Sequence, residues 1–295
     1  MHVLGRLLDP TLVETLRHLA MGAWRVVHGT TIGLHKSPVK GASVEFRQHR
    51  LYVPGDEPRR IDWRVLARSD KAFVKEYDEE TNLRATVVLD ASGSMNYGKS
   101  PARKFDTAAR VAAGLAYLML AQTDAVGLAI ANDAPESFVA PSGASSQLTR
   151  ILTVLGNTTP AGPTRLDNTL LRVADRIDRR SLLIIISDFF QPVSELTRGL
   201  ARLHHDRHEL VLLRMLHPDE RTFPFATWAK FEGLESEAPK LLETAAARKM
   251  YLANFAEHER QLTQAARATG ADLLHASCDR AVVDAILAVV RRSNA

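Results

Sequence analysis

The stretch Arg84–Ser94 reads RATVVLDASGS and decides the fold of the chain. Its apolar, β-branched run is typical of a buried strand that ends at Asp90, and Ser92 and Ser94 follow in alternate positions. One carboxylate and two hydroxyls are therefore gathered in a single turn at the C-terminal end of a strand. Magnesium binds about six oxygen ligands, so this turn would supply about half of a coordination shell.

Two later segments have the character needed to supply the rest of the shell. Thr164 follows Gly162 and Pro163 at the start of a helical stretch, and the buried run 182–188, LLIIISD, ends at a carboxylate. In an open α/β sheet, ligands bind outside the carboxyl ends of the strands, where neighbouring connections leave to opposite faces. We therefore expect five side chains to converge on one metal site: Asp90, Ser92, Ser94, Thr164 and Asp188.

The order D-x-S-x-S, then Thr164, then Asp188 resembles the metal-ion-dependent adhesion site (MIDAS) of von Willebrand factor A domains. Three of the five side chains are neutral hydroxyls, so a bound cation keeps much of its positive charge. An acidic residue of a partner protein could then complete the octahedron. Mg²⁺ is the expected ion, with Mn²⁺ and Ca²⁺ as alternatives, because all three accept such oxygens.

Outward from this turn, strands alternate with helices, which predicts a mostly parallel sheet with helices on both faces. The predicted fold is α/β, von Willebrand factor A-like (Rossmann-like), with an N-terminal irregular/β extension. The domain is expected to span 83–295, with a loop or hairpin insertion near 217–238. Strands are expected near 84–90, 125–131, 182–187, 209–215 and 271–276, with a possible added strand in 133–140.

Residues 1–82 are predicted to form a separate N-terminal part, with a helix over 9–28 and a basic, irregular or β-containing segment after it. That segment is a second contact surface in one hypothesis and an intramolecular brace in the other. The candidate contact residues are Arg59, Arg60, Asp62, Trp63 and Arg68.

Composition excludes several other classes of protein. The net charge of +4 in 295 residues is mild, and acidic residues are interspersed with basic ones, so no nucleic-acid partner is expected. The single Cys278 excludes an internal disulfide and fits a reducing compartment. No apolar stretch reaches the length of a membrane span, so we expect a cytoplasmic protein without one.

A competing motif overlaps the same turn. Gly93–Ser100 fits the phosphate-loop pattern G-x-x-x-x-G-K-[ST], which makes a Mg²⁺-dependent nucleotide hydrolase or phosphotransfer enzyme the alternative function. Pro101 argues against it, because phosphate loops use successive backbone N–H groups as donors and proline has none. No general base is evident beside the site, so the favoured prediction is a protein that is not an enzyme.

The segment from Glu45 through Met95 narrows the resemblance to von Willebrand factor A domains to a single family. It contains the motifs EF, PGD, RRIDW and AR, then EE, before the Asp90 turn. In this it resembles the bacterial family called domain of unknown function 58, whose members carry a von Willebrand factor A-like domain. The resemblance implies a partnership with a MoxR-type AAA+ ATPase in the assembly or activation of other proteins. The function expected on this basis is a metal-dependent protein–protein interaction module.

Overall fold

In the computed structural model, the described residues are 4–27, 44–53, 56, 61–69, 71–79, 83–132, 137–177, 179–225, 228–235 and 240–292. The strands are β1 (Val44–Leu51), β2 (Phe73–Glu79), β3 (Arg84–Asp90), β4 (Ala125–Ala131), β5 (Phe138–Ser142), β6 (Leu182–Ser187), β7 (Glu209–Leu216), β8 (Trp228–Phe231), β9 (Lys240–Glu243) and β10 (Asp272–Ser277). The helices are α1 (Leu4–Leu7), α2 (Pro10–Val27), α3 (Trp63–Ser69), α4 (Lys104–Ala121), α5 (Gln147–Asn157), α6 (Leu166–Ala174), α7 (Val193–His205), α8 (Pro218–Thr222), α9 (Thr244–Ala268) and α10 (Val282–Arg292).

The main sheet of the described chain has the strand order β10-β7-β6-β3-β4-β5. All neighbouring pairs are parallel except β4 and β5, so the added strand expected in 133–140 is an antiparallel edge at Phe138–Ser142. The prediction of a mostly parallel α/β sheet flanked by helices is confirmed. Part of the expected insertion near 217–238 forms a hairpin, in which β8 pairs antiparallel with β9.

Side chains of the central strands alternate between two apolar cores, as the twofold repeat of a strand requires. Val87 and Leu89 face the core covered by α1, α2, α4, α5 and α10, whereas Val88 faces the core covered by α6, α7 and α9. Both faces of β3 and β6 are buried, which explains why their sequences are continuous apolar runs.

The connections place a crevice between β3 and β6. The helix that follows β3, α4, lies on one face of the sheet, and the helix that follows β6, α7, lies on the other. Adjacent strands whose connections leave to opposite faces form the switch point where α/β sheets bind ligands. The carboxyl ends of these two strands carry Asp90 and Asp188.

Residues Thr31–Asn82 form a compact unit of their own, and Met1–Thr30 belongs with Leu83–Ala295 in the other unit. In the smaller unit β1 pairs antiparallel with β2, and α3 lies between them in sequence. The predicted division of the chain into an N-terminal part, 1–82, and a domain, 83–295, remains a prediction. Among the helices that the structure describes, none is both long enough and apolar enough to cross a membrane.

The candidate contact residues of the basic segment fall in this smaller unit. Arg59 and Arg60 lie outside the described residues. Asp62 is buried and its carboxylate accepts a hydrogen bond from the Val65 backbone N–H at 3.3 Å, which caps the start of α3. Trp63 is 60% exposed and Arg68 is exposed. Their role as a contact surface remains a prediction.

Candidate metal centre

A pocket of about 520 Å³ lies at the carboxyl edge of the main sheet. It is lined by all five side chains that the sequence singles out: Asp90, Ser92, Ser94, Thr164 and Asp188. These residues come from three segments of the chain separated by about 70 and 24 residues, and the strand order brings the segments together. These five residues therefore bring two carboxylates and three hydroxyls together at one place.

The first segment is a turn in which the polar side chains lie side by side. The backbone N–H of Ser92 donates to Asp90 Oδ1 at 2.9 Å, the self-capping contact of an aspartate turn. A short 3₁₀ helix, Gly93–Asn96, then brings the Ser92 and Ser94 hydroxyl oxygens within 2.9 Å of each other. The two hydroxyls are thus already spaced as neighbouring ligands.

Backbone hydrogen bonds fix the Thr164 loop against this turn. The N–H of Gly93 donates to the Gly162 carbonyl at 2.7 Å, and the N–H of Ala161 donates to the Ala91 carbonyl at 3.0 Å. Gly162 has a φ of +69°, a conformation that suits glycine and turns the chain toward the site. The Thr164 hydroxyl is engaged only by a long contact of 3.4 Å to the Ala131 carbonyl, so its oxygen keeps accepting capacity.

The third segment contacts Asp90 through the hydroxyl of Ser187. Its hydroxyl donates to Asp90 Oδ2 at 2.6 Å and accepts from the Phe189 backbone N–H at 2.9 Å. The next residue, Asp188, is 2% exposed and accepts from the Phe190 backbone N–H at 3.2 Å. Ser187 was not predicted as a site residue, although its position between a buried strand and Asp188 was an available signal.

The surroundings of Asp90 make its charged form unfavourable unless a cation is nearby. Burial, and then the negative charge of Asp188, raise the pKa of Asp90 from 3.8 to about 6, although hydrogen bonds from Ser187 and Ser92 oppose the shift. Two buried carboxylates at one site repel each other. A divalent cation beside them would relieve that repulsion.

A buried lysine beneath the pocket already offsets part of the charge. Lys104 is fully buried, and its Nζ lies 2.7 Å from Asp188 Oδ2 and 2.5 Å from Glu220 Oε1. Burial alone would lower the pKa of Lys104, but the two carboxylates outweigh it and the pKa is raised. Since Lys104 occupies one oxygen of Asp188, this aspartate is better suited to hold a metal through water than directly.

Sequence analysis missed Lys104, Glu220 and Arg214. Lys104 shares one face of an apolar helix with the buried residues Thr107, Ala108 and Val111. A lysine on such a face was the signal available in the sequence. Arg214 is also fully buried, and its Nε donates to the Asp188 carbonyl at 3.1 Å while its guanidinium pairs with Glu259. Lys104 therefore binds the carboxylate of Asp188, and Arg214 binds its backbone carbonyl.

The donor set fits a hard divalent cation. Within the described ranges, no group of three or more His, Cys, Asp and Glu side chains could hold a metal ion. The five pocket residues instead contribute two carboxylates and three hydroxyls, all of them oxygen donors of the kind that Mg²⁺ prefers. The chemistry of these residues, the repulsion at Asp90 and the free capacity of Thr164 are consistent with such an ion.

The geometry of Gly93–Ser100 does not form a phosphate loop. In that motif the lysine and the hydroxyl residue open the helix whose N-terminus cradles the phosphates. Here Lys99 is exposed and Ser100 precedes the first residue of α4, Lys104, by four positions. The residues of the pattern are therefore present in sequence without the helix start that the motif requires.

The chain matches known proteins over most of its length. Residues 48–261 match the family described as "Protein of unknown function DUF58". An uncharacterized protein of Mycobacterium tuberculosis is 29% identical over 284 residues, which cover 94% of this chain and 88% of that protein. An uncharacterized protein of Mycobacterium bovis matches with the same values.

Solved structures show the same fold at low sequence identity. An aerotolerance-related membrane protein from Bacteroides fragilis has a TM-score of 0.51 and 13% identity, covering 72% of this chain and 99% of that chain. The SpRpn10 VWA domain has a TM-score of 0.42 and 12% identity, covering 69% of this chain and 94% of that chain. The mostly parallel six-stranded sheet with its antiparallel edge strand agrees with the predicted von Willebrand factor A-like α/β fold.

Proposed function

This chain belongs to the DUF58 family, and on that premise we propose that it is a metal-dependent protein-interaction module. The observation that carries the proposal is the convergence of Asp90, Ser92, Ser94, Thr164 and Asp188 in one pocket at the switch point of the sheet. The resemblance of these five residues to the metal-ion-dependent adhesion site of von Willebrand factor A domains supports an interaction module. The partner would present an acidic residue to the site.

Each of the five side chains has a role in this proposal. Ser92, Ser94 and Thr164 would bind a Mg²⁺ ion through neutral oxygens, and a bound ion would supply a positive charge that attracts a carboxylate. Asp90 would offset part of that charge directly or through water. Asp188, which is already paired with Lys104, would act through water. Because three of the ligands are neutral, the charge left over favours an acidic residue from outside.

We propose a MoxR-type AAA+ ATPase, or a client of that ATPase, as the protein that supplies the acidic residue. This partnership is what the resemblance to the family implies. A purified MoxR-type ATPase from the same organism is expected to bind the chain in the presence of Mg²⁺ and to dissociate in EDTA. The cytoplasmic location and the absence of enzymatic activity remain predictions from the sequence.

A calorimetric titration with Mg²⁺, followed by Mg²⁺ with ATP, tests the metal site against the enzyme alternative. Asp90→Ala and Thr164→Ala are expected to abolish or weaken Mg²⁺ binding, whereas Lys99→Ala is expected to leave it unchanged. Thr164→Ala serves as the mild variant, because its hydroxyl makes only a 3.4 Å contact to the protein. ATP binding that is lost in Lys99→Ala would instead favour a nucleotide hydrolase. Mg²⁺ binding that survives both site substitutions would refute the proposed site.

A further inference from the structure

The hairpin inserted between β7 and α9 reaches the candidate metal centre. Its loop contributes Glu232, Gly233, Leu234 and Glu235 to the lining of the same pocket. The Glu235 carboxylate accepts a hydrogen bond from the backbone N–H of Ser94, with 3.1 Å between Oε1 and N. Ser94 is one of the candidate metal ligands, so a carboxylate from 141 positions further along the chain lies at the site itself.

The loop is seated tightly against the turn that holds the serines. A Cβ added at Gly93 would lie 2.0 Å from the Leu234 carbonyl oxygen and 3.2 Å from Glu235 Cγ. A contact of 2.0 Å with a backbone atom is far below any real approach, so only glycine at this position leaves room for the loop. The close packing of the loop against the Gly93 turn therefore fixes the position of Glu235 beside Ser94.

Five carboxylates line the pocket. Asp90 and Asp188 are buried, Glu195 and Glu232 are exposed, and Glu235 is half-buried where it accepts from the Ser94 backbone N–H. The buried cation Lys104 pairs with Asp188 and Glu220, below the site. A cation bound at Ser94 would attract the Glu235 carboxylate, which is already held beside that residue.

We propose that Glu235 is an internal ligand of this site, which occupies the coordination position that the proposed function assigns to the partner's acidic residue. The inference rests on that proposed function. The hairpin β8–β9 then acts as a tethered competitor, because its carboxylate is held at the site by the chain itself. A partner binds by displacing one carboxylate with another, so the site selects for an acidic residue that outcompetes Glu235.

Titration with Mn²⁺ alone tests the inference, with calorimetry for affinity and water-proton relaxation for the waters on the bound ion. Glu235→Ala is expected to weaken Mn²⁺ binding roughly tenfold or more, by analogy with the loss of groups that support a metal site. It is also expected to raise the relaxation enhancement, since about one water replaces the carboxylate in a shell of about six ligands. Acetate added to Glu235→Ala should reverse the rise, while the unaltered chain should not respond to the same acetate.

Glu232→Ala is the matched control, because Glu232 lies in the same loop, is exposed and pairs with Lys230 at 2.8 Å. It removes the same charge from the rim and is expected to change Mn²⁺ affinity by less than about twofold. Equal affinity and relaxation in Glu235→Ala and the unaltered chain, with binding still lost in Asp90→Ala, would overturn the internal ligand and leave the proposed function standing. No Asp90-dependent Mn²⁺ binding in any variant would overturn both.

Discussion

Lys104 is the residue on which the charge balance beneath the site depends. Its ammonium group is fully buried between Asp188 and Glu220, and the Phe190 ring lies 5.2 Å from its Nζ. Burial raises the pKa of Glu220, and Lys104 opposes that rise. A buried ion pair stabilises a fold weakly compared with an apolar replacement of the whole pair, but removing one partner leaves the other charge uncompensated.

Lys104→Met is therefore expected to lower the free energy of unfolding by about 3–5 kcal/mol at pH 7. Lys99→Met, a change of the same kind at an exposed lysine, is expected to have almost no effect. Urea denaturation of the metal-free proteins measures both values. A loss in Lys104→Met no larger than that in Lys99→Met would contradict the role of Lys104 as a buried counter-charge.

The stability deficit of Lys104→Met should also depend on pH. Without Lys104, burial raises the pKa of Glu220 further above its unfolded value, and the native state then binds more protons than the unfolded state around and above pH 4.5. Stability of the variant should fall as pH rises through that range, so the deficit is expected to be smaller near pH 4.5 than at pH 7. A deficit that is constant with pH would show that lost packing, not charge, is the cause.

The five pocket residues could be predicted because each is polar and follows a buried strand or opens a helix in the local sequence. The structure brings these five side chains to one pocket, and their use as metal ligands remains a proposal. Glu235 and Glu220 could not be found in this way. Glu235 contacts Ser94 from 141 positions away and Glu220 contacts Lys104 from 116 positions away, both from an insertion with no periodic pattern.

At the scale of elements, α4 is the helix that organises one face of the sheet. Gly114 marks the point where α2 and α10 approach it most closely: a Cβ there would lie 2.4 Å from Ile286 Cδ1 and 3.3 Å from Leu16 Cδ1. Both neighbouring side chains are fully buried in the same apolar core. The glycine thus permits a close approach at the expense of helix propensity.

Gly114→Ala is expected to destabilise the protein by about 1–2 kcal/mol, because overpacking outweighs the roughly 1 kcal/mol gained in helix propensity. Ile286→Val removes the Cδ1 atom that an alanine would meet, so the double variant should recover most of the loss in Gly114→Ala. A double-mutant cycle by urea denaturation measures this coupling. Simple additivity of the two single changes would contradict the predicted contact between α4 and α10.

The elements themselves were mostly predictable, since the strands β3, β4, β6 and β7 are long apolar runs and the helices have clear periodicity. The ends of the helices were less predictable from the sequence. The helix α4 ends at Ala121, two residues before Thr123, which has a φ of +64°. A β-branched residue in the left-handed region gives no turn signal in sequence, because glycine normally fills that position.

At the scale of the molecule, the N-terminal helices belong to the larger unit although 52 residues of the smaller unit separate them from β3 in sequence. Leu7, Leu12 and Leu16 are buried in the same apolar core as α4 and α10. The sequence pattern predicted the amphipathic helix but assigned it to an N-terminal part, because proximity along the chain was the only guide to its partner. Burial of its leucines shows that it completes the larger unit.

Two deletions should therefore differ in stability. Truncation at Leu83 removes three core leucines, each contributing roughly 1.5–3 kcal/mol on burial, so it is expected to lower the free energy of unfolding by about 4 kcal/mol or more. Replacing 31–82 with a flexible Gly/Ser linker of about 20 residues keeps α1 and α2 and should preserve the fold and Mg²⁺ affinity. Urea denaturation and Mg²⁺ calorimetry compare the two with the full chain. Equal stability of both deletions would contradict the role of α1 and α2. Loss of Mg²⁺ binding in the linker variant would favour the brace hypothesis for the basic segment, since that variant still has the helices that complete the core.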